Sequence, residues 1–452
     1  MSRFDDDQDV ATVESLTGQS TSPEQFLTKS RSLPMGCMTA WAVLPEVAMK
    51  VANARGDQMD TRSPWPGRLR NTARALSPRR GPSLLRVGPV LFVSTSIQTD
   101  RVLKPVLDEL APTYGTPRTY VLPRLSLTSG LDAHRAANKT LKEYRTWFDD
   151  EGIIEPAGLE EEIVKAEILL RRGRLADFGA QGVRAIIVGS QHNGPTRSIL
   201  AAAHIAGGPA TCYLPHAPVA DNPFYRDLPV HHALLRGEAE VAFYRRLGVH
   251  ADDAITVVGQ PGLTLQDGGI VADANHVIYA ASDHSEDVLR ADIEVIRRGV
   301  DRPVEVCLHP RMAQADCQGL FPEAWTVHPP GPTMDVLRVR GAFALIQHGS
   351  GVGLEAMSAG VDIIDLCPRG ERPNYPFISA PHVQVVPDSL SLRRALEAVP
   401  ARRSAREART KFARSWTSVF DPDATTAAAA AIRAIVDTRR SDRILLDGWP
   451  AR

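Results

Sequence analysis

The chain has 452 residues, longer than one typical domain, so two α/β domains with additional segments are expected. Hydrophobic residues make up 43% and charged residues 23%, as in ordinary soluble globular proteins, and the net charge of -1 excludes a globally basic nucleic-acid-binding protein. The five cysteines form no CxxC pair, which predicts reduced thiols and excludes a disulfide framework or a structural zinc site.

The sequence pattern predicts neither a membrane-spanning segment nor a secretory signal. No apolar run is long enough to cross a bilayer, and the acidic start at Asp5-Asp6-Asp7 is unlike a secretory signal. The expected location is the cytoplasm, with peripheral contact at the inner face of the membrane as an open alternative.

The first 86 residues are predicted to be a flexible tail that the fold can lose. They lack sustained periodicity and are rich in Ser, Thr, Pro and Arg. The arginines between Arg62 and Arg86, with Trp65 among them and no acidic residue, leave two interpretations open. One is contact with anionic lipid or nucleic acid, and the other, which we favour, is a solvated linker.

A first α/β unit is predicted from residue 87 to residue 262. Its apolar strands include Val90–Ser94, Ala185–Val188 and Ala210–Leu214, and amphipathic helices such as Asp100–Leu110 separate them. The strand at Ala210–Leu214 leads directly to His216.

A second unit is predicted from residue 263 to residue 440, followed by a short tail at 441–452. Asp283-His284 follows the strand His276–Ala281, and His309-Pro310 follows the strand Val304–Leu308. Strands and helices that alternate twice over predict two parallel-sheet domains facing a cleft. Ligands of such sheets bind beyond the carboxyl ends of the strands, where these histidines lie.

The most informative stretch is Ala342–Pro368, in which three glycines fall within five residues between a predicted strand and a predicted helix. Such a turn directs backbone N–H groups and the positive end of the helix dipole toward one point, which binds phosphate without a metal. It is not a P-loop, because no Gly-Lys-Ser/Thr follows, and Leu354 replaces the third glycine of the dinucleotide fingerprint. Glu355, in the first helical turn, is positioned to accept hydrogen bonds from ribose hydroxyls.

Four pieces in order resemble one enzyme superfamily. They are His216 after TCYLP, the segment LLRGEAEVAFYRRLGVHADDAITVVGQP, Leu308-His309-Pro310, and HGSGVGLEAMSAGVDIIDL. From about Val87 to Asp437 the chain therefore resembles the GT-B glycosyltransferases, and most closely the capsule-polysaccharide and teichoic-acid type enzymes. The resemblance implies a GT-B-like fold, with an acceptor domain at 87–262 and a nucleotide-donor domain at 263–440.

The same resemblance implies the chemistry. The expected donor is a nucleotide-activated sugar or, in a glycerophosphotransferase-like reaction, CDP-glycerol, and the expected process is surface polysaccharide or glycoconjugate biosynthesis. The acceptor is a saccharide, a lipid-linked or a small-molecule hydroxyl. No cofactor, metal or nucleic acid is expected. The DxD matches at Asp5–Asp7 and Asp421–Asp423 are interpreted as accidental, because neither follows a strand of the sheets.

Site residues follow from the matched pieces. His216 is the candidate general base, since imidazole titrates near neutral pH, and Asp283 is a candidate catalytic residue at the first strand end of the second domain. The candidate donor-binding residues are His309, Arg311, His348, Gly349, Ser350, Gly351 and Glu355. Helix N-capping is the alternative role for Ser350.

Two other functions remain open. The hydrolysing UDP-N-acetylglucosamine 2-epimerases share the fold and an ERP element like Glu371-Arg372-Pro373, but their HVEAGLR segment is absent around His216. A non-catalytic nucleotide-sugar-binding protein is the third interpretation. The transferase is preferred because His216 is present and the acids that an epimerase would use beside it are absent.

Overall fold

The computed structural model describes residues 82–438 with gaps at 154, 157, 206, 222–224, 226–227, 250–251, 265–274, 311, 313–316, 318 and 369–374. It also describes five residues nearer the N-terminus, namely Thr39, Ala42, Val43, Leu44 and Val47. Arg311, the element Glu371–Pro373, Cys37 and the predicted tail at 441–452 lie outside the described residues.

The first sheet has seven strands in the order β3-β1-β2-β4-β5-β6-β7. The strands are β1 (Ser83–Val87), β2 (Val90–Ser94), β3 (Arg118–Thr119), β4 (Ala185–Val188), β5 (Ala210–Tyr213), β6 (His232–Leu235) and β7 (Ile255–Val257). From β2 to β7 the pairing is parallel, and helices cover both faces, so runs such as Ala185–Val188 are buried throughout. At the edge, β1 pairs antiparallel with β2 and β3.

Helices of the first domain connect these strands. They are α1 (Ile97–Tyr114), α2 (Leu127–Glu151), α3 (Leu159–Ala176), α4 (Gly194–Ile205) and α5 (Glu238–Arg246). A capping box of Ser96 and Thr99 starts α1 next to the end of β2. Helix α3 packs between α2 and α4, and Gly152, in the left-handed conformation, ends α2.

The second sheet has six parallel strands in the order β10-β9-β8-β11-β12-β13. The strands are β8 (Val277–Ala281), β9 (Val304–Leu308), β10 (Thr326–His328), β11 (Leu345–Gln347), β12 (Ile363–Leu366) and β13 (Gln384–Val386). The following helices are α6 (Glu286–Gly299), α7 (Thr333–Arg340), α8 (Val352–Ser358), α9 (Ser389–Arg402) and α10 (Arg406–Trp416). The predicted α/β class with two parallel-sheet domains is confirmed.

The chain crosses between the domains twice, and this corrects the predicted domain boundary. The last helix, α11 (Asp423–Asp437), packs on α1, and its Ala428 and Ile432 join the core of the first domain. The segment 263–440 is therefore not one domain, because the apolar face of α11 is buried against the first sheet.

The two crossings run side by side. Gln260 N–H donates to the Val419 carbonyl (2.9 Å), and the Asp421 carboxylate accepts from Gly262 N–H (2.6 Å) and from the Thr425 hydroxyl (2.5 Å). Asp421 therefore ties the crossings together and caps α11, a structural role for one of the DxD matches.

The start of the fold also differs from the prediction. The sheet begins at Ser83, inside the segment 1–86 that was predicted to be a tail. The described residues from Thr39 to Val47 are helical and buried, and Thr39 donates a hydrogen bond to Glu167 of α3. Val43 and Val47 pack in one hydrophobic cluster with residues of the first domain such as Leu84 and Leu91. The prediction of a dispensable tail is wrong for these residues.

Among the described residues, no helix is both long and apolar enough to span a bilayer. The cysteines that the structure describes, at 212, 307, 317 and 367, are buried free thiols.

Candidate functional site

The carboxyl ends of both parallel sheets open onto one cleft with a volume of about 540 Å³. Seven of the predicted site residues line it: His216 from the first domain, and Asp283, His309, Gly349, Ser350, Gly351 and Glu355 from the second. His348 lies just behind this lining, with its ring against His284 of the cleft wall. The alternating pattern of strands thus brings the predicted residues of both domains together.

His216 is held by the backbone of the neighbouring strand end. Its Nδ1 lies 2.6 Å from the Gly189 carbonyl oxygen, and its backbone N–H donates to the same oxygen at 3.2 Å. A carbonyl oxygen only accepts, so Nδ1 carries the proton, and the lone pair of the neutral ring is on Nε2. Burial lowers the pKa of His216, the hydrogen bond to Gly189 opposes this, and the charge of Arg236 lowers the pKa further. His216 is therefore a neutral base at neutral pH.

The loop after β4 forms another part of this wall and was not predicted as part of the site. Ser190, His192 and Asn193 all line the cleft. Asn193 caps α4 by accepting from Thr196 N–H (2.9 Å), and its amide donates to the Ser190 hydroxyl (3.0 Å). Burial, followed by the charges of His216 and Arg197, lowers the pKa of His192 to about 3. The signal was present in the sequence, because this polar loop ends a buried parallel strand at the same sheet edge as His216.

Arg236 is the residue that the sequence gave least reason to expect. It follows β6 directly, is 1% exposed, and none of its guanidinium nitrogens has a hydrogen-bond partner among the described residues. Its backbone is fixed on both sides, because its N–H donates to Glu240 (3.0 Å) and its carbonyl accepts from Ser418 N–H (2.9 Å). The guanidinium lies close enough to affect the pKa values of both His216 and Glu355.

The glycine-rich turn differs from the prediction in which of its amides are available. Gly349, with φ of 57°, donates its N–H to the Asp365 carboxylate at 3.1 Å, so this amide is already used. Among the described residues, the N–H groups of Ser350 and Gly351 have no acceptor. Two amides, rather than the whole turn, therefore remain for an anion.

Position 351 needs a glycine because the opposite domain approaches it closely, and not because of its backbone angle. Its φ is -67°, which any residue adopts, but a Cβ added there would lie 3.0 Å from Cδ of Pro218 on the opposite domain. The two walls of the cleft are therefore nearly in contact at this position.

The helix that follows the turn is short. Helix α8 has seven residues, Gly351 is its N-cap, and Ser350 Oγ lies 3.5 Å from Val352 N. The predicted cap by Ser350 is therefore weak. Glu355 is half-buried on α8 at the cleft; burial raises its pKa, while Arg236 and Arg101 oppose the increase.

His348 is fixed from two sides. Its Nδ1 lies 3.0 Å from both carboxylate oxygens of Asp292, and its carbonyl accepts from the Ser282 hydroxyl at 3.0 Å. The His284 ring packs against the His348 ring with centroids 4.7 Å apart. Asp283 is exposed on the rim, and His309 is half-buried after β9.

Within the part of the chain that the structure describes, no group of three or more His, Cys, Asp and Glu side chains could hold a metal ion. Metal-independent chemistry stays a prediction.

No protein-family model matches this sequence, and no curated protein matches it either. Solved structures with a similar fold include the calicheamicin glycosyltransferase CalG4, with a TM-score of 0.41 and 17% identity, over 61% of this chain and 79% of that chain. The Methanocaldococcus jannaschii UDP-GlcNAc 2-epimerase, solved with UDP-GlcNAc and UDP, has a TM-score of 0.40 and 13% identity, over 64% of this chain and 87% of that chain. The wall teichoic acid polymerase TagF has a TM-score of 0.39 and 10% identity, over 58% of this chain and 73% of that chain. Each likeness concerns the fold and not the reaction.

Proposed function

We propose that the protein is a metal-independent glycosyltransferase that moves a sugar from a nucleotide-activated donor to an acceptor hydroxyl. The observation that carries the proposal is the single cleft in which a neutral histidine on one domain faces a glycine-rich turn with unpaired amides on the other. Its volume of about 540 Å³ is suited to a nucleotide sugar.

The first-domain wall supplies the base in this proposal. With Nδ1 bound to the Gly189 carbonyl, His216 uses Nε2 to accept the proton of the acceptor hydroxyl. The acceptor oxygen then forms its bond to the sugar C1 while the bond from C1 to the donor phosphate breaks.

The second-domain wall holds the leaving group. The N–H groups of Ser350 and Gly351, together with His309, are donors for the phosphate that departs with the bonding electrons. Glu355 accepts hydrogen bonds from the ribose hydroxyls. Arg311, outside the described residues, is proposed as a further phosphate contact, and Asp283 at the rim as a partner for the acceptor.

The test is a donor panel with product analysis. The full chain is incubated with UDP-, CDP-, CMP-, GDP- and dTDP-linked sugars, together with saccharide, lipid-linked and small-molecule acceptors, in excess EDTA. Mass spectrometry should find a glycosylated acceptor and a free nucleotide for at least one pair. No product with any pair, or a product formed only when a divalent metal is restored, would contradict the proposal.

A heavy-water arm separates transfer from epimerisation. With UDP-N-acetylglucosamine and no acceptor, a transferase leaves C2 unlabelled and releases UDP only by slow hydrolysis. Deuterium at C2 would show that the protein acts as an epimerase and would refute the proposed transfer.

A further inference from the structure

A second cavity borders the cleft on the side of the first domain and has no role in the function proposed so far. Its volume of about 380 Å³ lies within the range of small-molecule sites. Thr95 and Ser96, between the end of β2 and the start of α1, line both the cavity and the cleft. The two spaces are therefore adjacent at the carboxyl end of β2.

The lining of this cavity is mostly polar, with a small apolar surface. Six of its nine described lining residues carry a hydroxyl or a charged side chain: Ser83, Ser94, Thr95, Ser96, Asp100 and Lys165. The other three are Pro82, Ile97 and Pro195, and Ile97 is 75% exposed. A sugar ring has hydroxyl groups around its edge and apolar C–H groups on its faces, so it complements such a lining.

Two opposite charges face this cavity without pairing with each other. Asp100, in the first turn of α1, makes no side-chain hydrogen bond or ion pair within the described part of the chain, although its position suits the helix dipole. Lys165, on α3, has its Nζ 3.9 Å from a Glu162 oxygen, too far for a hydrogen bond. A carboxylate only accepts and an ammonium only donates, whereas hydroxyl groups do both, so a polyhydroxylated ligand satisfies both charges.

The wall shared by the cavity and the cleft is tied to the loop that holds the proposed base. The Asn193 side-chain amide donates to the Thr95 hydroxyl at 3.3 Å and to the Ser190 hydroxyl at 3.0 Å. Ser190 follows Gly189, whose carbonyl accepts from His216 Nδ1. His216 lines the cleft side of this wall, and Thr95 lines both sides. An acceptor with a hydroxyl at His216 therefore has the cavity as the neighbouring space for its next residue.

We propose that the cavity binds the second sugar residue of the acceptor, so that the acceptor is an oligosaccharide of at least two residues. This inference rests on the proposed function, which leaves the class of acceptor open. Asp100 accepts hydrogen bonds from hydroxyl groups of the second residue, Lys165 donates to them, and Ile97 packs against a C–H face of the ring. A monosaccharide acceptor fills only the cleft and lacks these contacts.

The experiment measures saccharide binding without a donor, so it does not depend on turnover. An array of mono- to tetrasaccharides probed with the full chain identifies the sugar, and NMR titration then compares that series in wild type and variants. We expect the disaccharide to bind at least about tenfold more tightly than its monosaccharide, as for added hydrogen bonds to charged groups. Asp100→Asn and Lys165→Met should each remove most of this advantage and leave the affinity for the monosaccharide unchanged.

Asp108→Asn is the matched control, because Asp108 is an exposed aspartate of the same helix as Asp100 and does not line the cavity. It should bind both saccharides like wild type. Equal affinities of wild type for disaccharide and monosaccharide would overturn the inference. So would Asp100→Asn and Lys165→Met that bind like Asp108→Asn, or binding of lipid-linked acceptors alone.

The cavity assignment and the proposed reaction can fail separately. If the disaccharide binds as expected but no nucleotide sugar is transferred to it, the proposed function is refuted and the cavity remains a saccharide site. If transfer occurs with equal kcat/KM to monosaccharide and disaccharide, the proposed function stands and the inference about the cavity is wrong.

Discussion

His216 shows how one side chain acquires its chemistry from its surroundings. Its Nδ1 is fixed by a backbone carbonyl, and burial keeps the ring neutral. A base must be unprotonated to act, so in the proposed reaction the lowered pKa of His216 extends activity toward acid pH.

The first prediction concerns the pH profile of turnover. The acidic limb of kcat/KM should have its midpoint below about 6.5, the ordinary value for histidine, because His216 loses its base function only as the pH falls through its lowered pKa. His216→Ala should remove this limb and slow turnover about 10²–10⁴-fold. Nucleotide release measured between pH 4.5 and 8 checks this, and a limb above pH 7 would contradict it.

A second residue-scale prediction concerns acid stability. Glu305, almost fully buried on β9, accepts from Arg340 at 2.7 Å and from His328 at 2.8 Å, with His276 3.6 Å away. Burial alone raises the pKa of Glu305, but the hydrogen bonds from Arg340 and His328 and the charges of His276 and Arg340 bring it below its ordinary value.

A group with a lowered folded pKa contributes stability above its unfolded pKa and loses it as the pH falls through the folded value. Glu305→Gln should therefore be less stable than wild type at pH 7, and the gap should close below about pH 4. Urea unfolding at several pH values measures the gap. A gap that is the same at pH 3 and pH 7 would show that charge is not the cause.

The sequence predicted only some of the residues of the candidate site. His216, His309 and the glycine-rich turn were found because each follows an apolar strand, and strand ends share one edge of a parallel sheet. Asp292 could not be found this way, because it lies on helix α6 and its contact with His348 joins residues distant in the chain. Arg236 does follow a strand, but the sequence does not show that its guanidinium is buried near His216.

At the scale of elements, the glycine-rich turn is shaped more by its neighbours than by its own sequence. The carboxylate of Asp365 takes the Gly349 amide, and Pro218 of the other domain lies against Gly351. The helix after it has only seven residues, so its dipole contributes less than the sequence suggested. For anion binding, the unpaired N–H groups of Ser350 and Gly351 and the facing wall at Pro218 matter more than the helix dipole.

The third prediction tests that packing. Gly351→Val places its branched side chain where a Cβ is already 3.0 Å from Pro218, so the two walls cannot approach each other around a donor. Nucleotide affinity should fall by more than about tenfold, with little change in melting temperature. Gly331→Val is the control, since Gly331 also lines the cleft but its nearest contact would be at 3.8 Å. Equal affinities of the two variants would count against the role given to Gly351.

Strand prediction succeeded where parallel strands are buried on both faces and failed for the antiparallel strand β1. Val90–Ser94, Ala185–Val188 and Val304–Leu308 were predicted to the residue, because each is a continuous apolar run. The strand Ser83–Val87, second from the edge of its sheet, was missed because it is only partly buried and follows an arginine-rich segment.

At the scale of the whole molecule, the two domains are joined by more than a linker. Asp421 couples the two crossings, and α11 returns to the first domain. The sequence predicted two domains but not this return, because the contacts of α11 with α1 join residues more than 300 positions apart in the chain, as in the hydrogen bond from Arg433 to the Glu109 carbonyl.

The fourth prediction concerns the N-terminal residues that pack on the first domain. Val43 and Val47 are 0% and 1% exposed, so Val43→Ala and Val47→Ala should each reduce the free energy of unfolding by about 1–3 kcal/mol. Val339→Ala, at a position that is 83% exposed, should stay within about 0.5 kcal/mol of wild type. Chemical denaturation compares the three. No difference between the buried and exposed substitutions would restore the prediction of a dispensable tail.

The central claim is that the second domain binds the donor nucleotide and the first domain supplies the base. Calorimetric titration of UDP, CDP, CMP, GDP and dTDP into wild type and His216→Ala tests it most directly. We predict that at least one nucleotide binds, with an affinity that differs between the two proteins by less than about threefold, because the proposed reaction has His216 contact the acceptor and not the nucleotide. No binding of any nucleotide, or its loss in His216→Ala, would contradict the account.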